Sequence, residues 1–255
     1  MKTQFIKKLV SIGYISAILV FPYLSVGQVF SNSTVMRLIG HARYSHDYGK
    51  SWESLKIGDM LTSGFVIQTA ADSSLFVSLG SEEKLPPTRS AVGGLYNPEI
   101  HPANLIRLDE NAVLSLENIS RSRLPNSSNM VDAVRLRLRA GTILCNVKKM
   151  SSESSFEIQV SRGIARMEEG IYRLNESGDL FVFRGNVWLE YTNHISTNRI
   201  FAGQLLDGST GAITNSPPLQ GNWFHDIWLP SDFVYEDWSP ETKNKKDTRK
   251  TIKSR

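Results

Sequence analysis

Apolar and polar residues alternate with a period of two along much of the chain after residue 27. In residues 134–140, arginine occupies every second position between apolar residues, and similar alternation occurs in residues 75–79, 156–160 and 187–191. Successive side chains of a β-strand point to opposite faces, so these segments are predicted to be half-buried strands. Because no later segment has a helical pattern, we expect an all-β fold of many short strands, arranged as a solenoid or a sandwich.

Residues typical of turns separate the predicted strands. Short turns are expected at residues 175–179, 184–186 and 207–208, where Gly is combined with Asn or Asp. Residues 80–104 are rich in Pro and Gly and predict a long loop inserted between two strands, and residues 120–131 predict a shorter polar loop.

The N-terminal 27 residues have the pattern of a secretory signal peptide, which predicts an N-terminal signal helix. Lys2, Lys7 and Lys8 precede an apolar run at residues 9–24, and small residues then favour cleavage before Gln28. The run is shorter than the ~20 residues that a membrane-spanning helix needs. We therefore expect export to the periplasm or cell envelope, with an uncleaved N-terminal anchor as the open alternative. Since only residues 1–8 precede the run, we expect no cytoplasmic domain before it.

The positive charge is concentrated at the two ends of the chain. The formal net charge of +4 favours an anionic partner, but residues 1–27 carry +3 and residues 243–255 carry +6. This leaves −5 for residues 28–242, so we expect no nucleic-acid partner. We predict that residues 243–255 form a basic disordered tail that contacts membranes only weakly.

The candidate reactive side chains do not form a recognisable catalytic or metal-binding motif. Cys145 is the single cysteine and alternates with neighbours in a strand-like segment, which predicts a buried, unreactive thiol. His41 and His46 are five residues apart, so a strand would place them on opposite faces, and a solvated turn is expected. The same argument places Glu168 and Glu169 on opposite faces. We therefore expect no enzymatic activity, no cofactor and no metal site.

Several segments, in order, resemble the FecR-like domain over about residues 38–210. They are Trp52-Glu-Ser-Leu-Lys-Ile-Gly58, Leu61-Thr-Ser-Gly64, Ile67-Gln-Thr69 with the strand that follows it, Ile106-Arg-Leu-Asp-Glu-Asn-Ala-Val-Leu114, Leu136-Arg-Leu-Arg-Ala-Gly141, Phe156-Glu-Ile-Gln-Val160, Gly163-Ile-Ala165 and Gly185-Asn-Val187. The chain departs from the family at Glu168-Glu169-Gly170, where members have Arg-Gly-Thr, and in the insertion at residues 80–104.

The resemblance implies a β domain at residues 38–215 that acts by protein–protein contact in the periplasm or cell envelope. Well-known family members also carry a cytoplasmic anti-sigma segment, which is not expected here. The chain is therefore more similar to exported, stand-alone members. The partner is expected to be another envelope protein, in a sensing or scaffolding role.

Arg135, Arg137 and Arg139 form a basic stripe along one predicted strand. Two interpretations are open. The arginines either pair with acidic neighbours on adjacent strands, such as Glu157, or they form a surface for a partner or an anion.

Residues 216–242 form an aromatic-rich C-terminal extension with Trp223, Trp228, Tyr235 and Trp238. These side chains either pack back over an open edge of the β domain or bind a partner. Aromatic rings also stack on sugars, so a polysaccharide or cell-wall ligand is the alternative to a protein partner.

Overall fold

The structure is a computed structural model that describes residues 29–80, 104–123, 130–192 and 197–216. The predicted signal segment, the 81–103 connection and the aromatic and basic C-terminal segments lie outside these ranges. Within the described ranges every regular element is a β-strand, as the sequence predicts. None of the described residues belongs to a helix long and apolar enough to cross a membrane.

The described strands are short near the N-terminus and reach their greatest length in the middle of the chain. The first nine are β1 (Val29–Phe30), β2 (Ser33–Ile39), β3 (Ala42–Ser45), β4 (Glu53–Ser54), β5 (Met60–Leu61), β6 (Val66–Thr69), β7 (Ser74–Leu79), β8 (Asn104–Leu108) and β9 (Val113–Arg123). The others are β10 (Met130–Ala140), β11 (Thr142–Val147), β12 (Ser155–Gln159), β13 (Gly163–Asn175), β14 (Leu180–Tyr191), β15 (Thr197–Phe201), β16 (Gln204–Leu206) and β17 (Ile213–Asn215).

These strands form one sheet that curls on itself into two half-sheets. In the first half-sheet the order is β4, β3, β6, β9, β10, β12, β13, β14 and β15. In the second half-sheet the order is β5, β2, β7, β8, β11, β13, β14, β16 and β17. Of these pairings, β10 with β12 is parallel and the rest are antiparallel. Strands β13 and β14 run through both half-sheets and join them.

One hydrophobic core lies between the half-sheets. The first half-sheet contributes Leu136 and Ile158, and the second contributes Val77 and Ile106, each with 1% or less of its surface exposed. Burial of a side chain of this size stabilises a fold by about 1.5–3 kcal/mol. The alternating pattern of residues 134–140 therefore reports the core-facing side of β10, and Arg135, Arg137 and Arg139 are exposed on its other side.

The predicted loop at residues 120–131 is wrong at both ends, because β9 and β10 extend into it. Met130 pairs with Arg123, so the strands form a long hairpin whose connection is residues 124–129. The polar residues there belong to a sheet surface, and the Arg121 Nε lies 2.6 Å from the Asp132 carboxylate across the hairpin.

The predicted turn at residues 184–186 is also wrong, since Gly185 lies inside β14. By contrast, the turns at residues 175–179 and 207–208 are confirmed. The Asn175 side chain accepts a hydrogen bond from the Asp179 amide at 2.8 Å, and Asp207 accepts one from the Ser209 amide at 2.7 Å. Hydrogen bonds from Ser209 and Thr210 lower the pKa of Asp207 to about 2.

Strand β7 differs from the half-buried strand that its alternation predicts. Leu75 and Val77 face the core, but Phe76 and Ser78 on the opposite side are also fully buried. Strands β7, β8 and β11 of the second half-sheet are therefore buried on both faces, whereas the arginine side of β10 in the first half-sheet is open to solvent.

Candidate binding surface

Five strands of the first half-sheet place a row of paired charges on its outer face. Arg137 on β10 lies 2.6 Å from Glu117 on β9. Arg135, also on β10, lies 3.2 Å from Glu157 on the next strand, β12. Glu157 also contacts Arg166 on β13 at 3.0 Å. Arg166 then pairs with Glu190 on β14. We call these six residues the charge row.

The strand register produces this row. Arg135 is directly opposite Glu157, and Glu157 is directly opposite Arg166, so their side chains share one face. The expected pairing of the arginine stripe with Glu157 is thus confirmed for Arg135. Arg139 is exposed beside a β-bulge, and the described residues include no carboxylate that pairs with it.

Arg166 is the centre of the charge row. Its Nε donates a hydrogen bond to Glu157 and its Nη1 donates one to Glu190. The bond to Glu157 is the main reason that the pKa of Arg166 is raised, with a further contribution from Glu190. Two carboxylates on two neighbouring strands therefore fix one guanidinium, which remains charged.

Trp188 on β14 is directly opposite Arg166 on β13. The sequence pattern did not mark Trp188 as a candidate binding residue. The Arg199 guanidinium lies 4.7 Å from the centre of the Trp188 ring, and its Nε donates a 3.2 Å hydrogen bond to Asn186. The alternation in residues 187–191 could have identified it, because Trp188 occupies the outward position between the core residues Val187 and Leu189.

A cleft of about 640 Å³ opens next to the charge row, where the two half-sheets separate. Its lining includes Glu157, Arg166 and Trp188 on one side and the serine-rich connection between β11 and β12 on the other. It thus combines an aromatic ring, both signs of charge and several hydroxyl groups.

Glu168 and Glu169 line the same cleft, which corrects the expectation that they lie on opposite faces. A β-bulge between Met167 and Gly170 interrupts the alternation, and both glutamates are exposed. Adjacent residues share a face here because the strand is irregular, which the sequence pattern does not reveal.

The other candidate groups are separate from this surface. Cys145 is fully buried, and burial raises the pKa of its thiol, in agreement with the predicted unreactive cysteine. His41 and His46 are both exposed. In the ranges that the structure describes, no three His, Cys, Asp or Glu side chains are grouped closely enough to hold a metal ion. Trp223, Trp228, Tyr235 and Trp238 lie outside the described residues.

Comparison with known proteins gives limited similarity. No protein-family model matches the sequence, and no curated protein matches it. Two crystal structures of a "putative anti-sigma factor" from Parabacteroides distasonis are similar at 14% sequence identity, with TM-scores of 0.33 and 0.35. The matches cover 50% and 57% of this chain, and 57% and 64% of those chains, so this chain spans less than two thirds of either. TM-scores at this level do not establish a shared fold.

Proposed function

We propose that the chain is a non-catalytic, exported FecR-like module of the periplasm or cell envelope. It acts by binding another envelope protein through the outer face of its first half-sheet, in a sensing or scaffolding role. The observation that carries the proposal is the fixed position of Arg166, between two carboxylates and beside the Trp188–Arg199 stack, at the rim of the cleft.

Arginine and tryptophan dominate the binding energy of protein interfaces. Ordering a free arginine side chain on binding costs about 0.5–1.5 kcal/mol, and this cost falls when the side chain is already fixed. Glu157 and Glu190 fix Arg166, and Arg199 lies over the ring of Trp188. The surface therefore offers a partner a tryptophan and two arginines that are already in place.

The pattern of charge favours a protein over a nucleic acid. Each strand that contributes arginine to the charge row lies between two strands that contribute glutamate, so a polyanion would meet carboxylates on every second strand. Complementary charges on a folded partner can match such an alternation and fix its register. A protein partner with its own mixed charges and an apolar side chain for the cleft is the best fit.

Affinity capture with the tagged full-length chain from native envelope tests this proposal. Trp188→Ala removes the aromatic ring at the cleft, and Tyr48→Ala is the matched control because Tyr48 is 78% exposed on a turn between β3 and β4. We expect the Trp188→Ala chain to lose most of the captured partner and the Tyr48→Ala chain to retain it.

Equal capture by both variants would refute the role of this face. Fractionation of the same cells tests export, since a chain found in the cytoplasm would contradict the proposed location. Urea unfolding of both variants distinguishes loss of binding from loss of the fold.

A further inference from the structure

The outer face of the second half-sheet contains a second hydrophobic cluster that the proposed function does not use. Phe76, Leu105, Leu144 and Ile171 lie on neighbouring strands and point away from the core, yet each is 0% exposed. Among the described residues, the other apolar side chains packed in this cluster are the half-buried Met36 and Phe183 of the same sheet. These four side chains are therefore shielded from solvent, although none of the described strands lies over this face.

Arginines surround this cluster. The Arg37 guanidinium lies 5.5 Å from the centre of the Phe76 ring, and Arg184 is the register partner of Ile171. Arg107 and Arg173 lie on β8 and β13, where Asp109 contacts them at 2.8 Å and 3.9 Å. A segment that lies on this face therefore meets four arginines, and a segment that is acidic as well as apolar is the best match to it.

We propose that residues 217–242 of this chain dock on this face and cover the second hydrophobic cluster. The segment contains five Asp or Glu residues and no Lys or Arg. It also contains six aromatic side chains, which are Trp223, Phe224, Trp228, Phe233, Tyr235 and Trp238. Its composition matches both requirements of the face, namely apolar surface to bury and negative charge to place beside arginines.

The connection at residues 81–103 matches the face less well. It has three acidic and two basic residues, and Tyr96 is its single aromatic side chain. The C-terminal segment therefore brings more negative charge and more aromatic surface to the same arginines.

The position of β17 makes this docking possible. Strand β17 is the edge of the second half-sheet, and the described chain leaves it at Ser216. Six strand spacings separate β17 from β7, which is about 29 Å at ~4.8 Å each. Twenty-six extended residues reach at most about 86–94 Å, so the segment spans the cluster easily.

Quenching of tryptophan fluorescence in the full-length chain tests the proposal. Trp52→Phe and Trp188→Phe leave Trp223, Trp228 and Trp238 as the remaining tryptophans. A nitroxide is attached at Arg173→Cys, whose position is directly opposite the cluster residue Leu144 and whose side chain is exposed, or at Arg139→Cys, on the opposite outer face. Cys145 does not take up the label in the folded chain because its thiol is fully buried.

We expect the label at position 173 to remove most of the emission and the label at position 139 to leave it nearly unchanged. Asp226→Lys with Asp232→Lys should restore the emission of the 173-labelled chain. Lys245→Glu with Lys246→Glu, a charge change of the same size in the tail, should not restore it.

Equal emission from the two labelled chains would overturn the proposal. Quenching that rises with protein concentration would also overturn it, because the occupant would then be a second copy of the chain. The capture experiment on Trp188 concerns the opposite face, so either result stands independently of the other.

Discussion

Gly170 and Gly185 face each other at the point where β13 and β14 pass from one half-sheet to the other. Gly170 has φ +144° and Gly185 has φ +84°, which L-residues with a side chain rarely adopt. A Cβ on Gly170 would overlap the Arg184 carbonyl oxygen, and a Cβ on Gly185 would overlap that of Glu169. The crossing therefore requires two glycines for close backbone approach as well as for conformation.

Gly170→Ala should consequently destabilise the fold more than an ordinary glycine substitution. We expect a loss of about 2–4 kcal/mol in the free energy of unfolding, from backbone strain and overpacking together. Gly203→Ala is the control, because Gly203 has φ +80° but a Cβ there would meet no atom within 4 Å. Its cost should be nearer ~1 kcal/mol. Equal urea midpoints for the two variants would contradict a steric role for Gly170.

At the scale of single strands, the sequence predicted best where one face meets solvent. Strand β10 follows its alternation, since Leu136 is buried and Arg135 is exposed. Strand β11 is buried on both faces, so Leu144 and Cys145 are both fully buried. Its sequence therefore does not show which of the two side chains faces the core. The bulge in β13 was missed for a different reason, because it depends on backbone approach at Gly170 rather than on side-chain polarity.

The charge row depends on one strand more than on the others. The Glu157 side chain on β12 is 14% exposed and contacts two arginines, whereas Glu190 is 48% exposed and contacts Arg166 alone. Removing the charge of Glu157 leaves Arg135 and Arg166 close together without the carboxylate between them. An exposed pair contributes only about 0–1 kcal/mol, and burial of one partner increases its effect.

Glu157→Gln should therefore lower the free energy of unfolding by about 1–2 kcal/mol, and Glu190→Gln by less than about 1 kcal/mol. Urea unfolding at low and at high salt provides the measurement. The Glu157→Gln loss should persist at high salt better than the Glu190→Gln loss, because the less exposed carboxylate is less screened. Similar losses with the same salt dependence would show that Glu157 is not central to the row.

At the scale of the whole molecule, the two outer faces have opposite characters. The charge row is open to solvent, while the second hydrophobic cluster is buried. The order of strands along the chain could be predicted in part, since each strand is a local pattern. The division into two half-sheets could not, because it depends on the long-range pairing of β13 with β11 and β12 at once.

Since β13 and β14 belong to both half-sheets, the described β structure should unfold as one cooperative unit. Thiol labelling of Cys145 follows the opening of the second half-sheet. Labelling of Val134→Cys in a Cys145→Ala background follows the opening of the first, because both side chains face the shared core. In each protein, the urea midpoint for thiol labelling should equal the midpoint for loss of strand circular dichroism. Labelling of Cys145 at urea concentrations that leave the circular dichroism unchanged, with Val134→Cys still protected, would show instead that the second half-sheet opens alone.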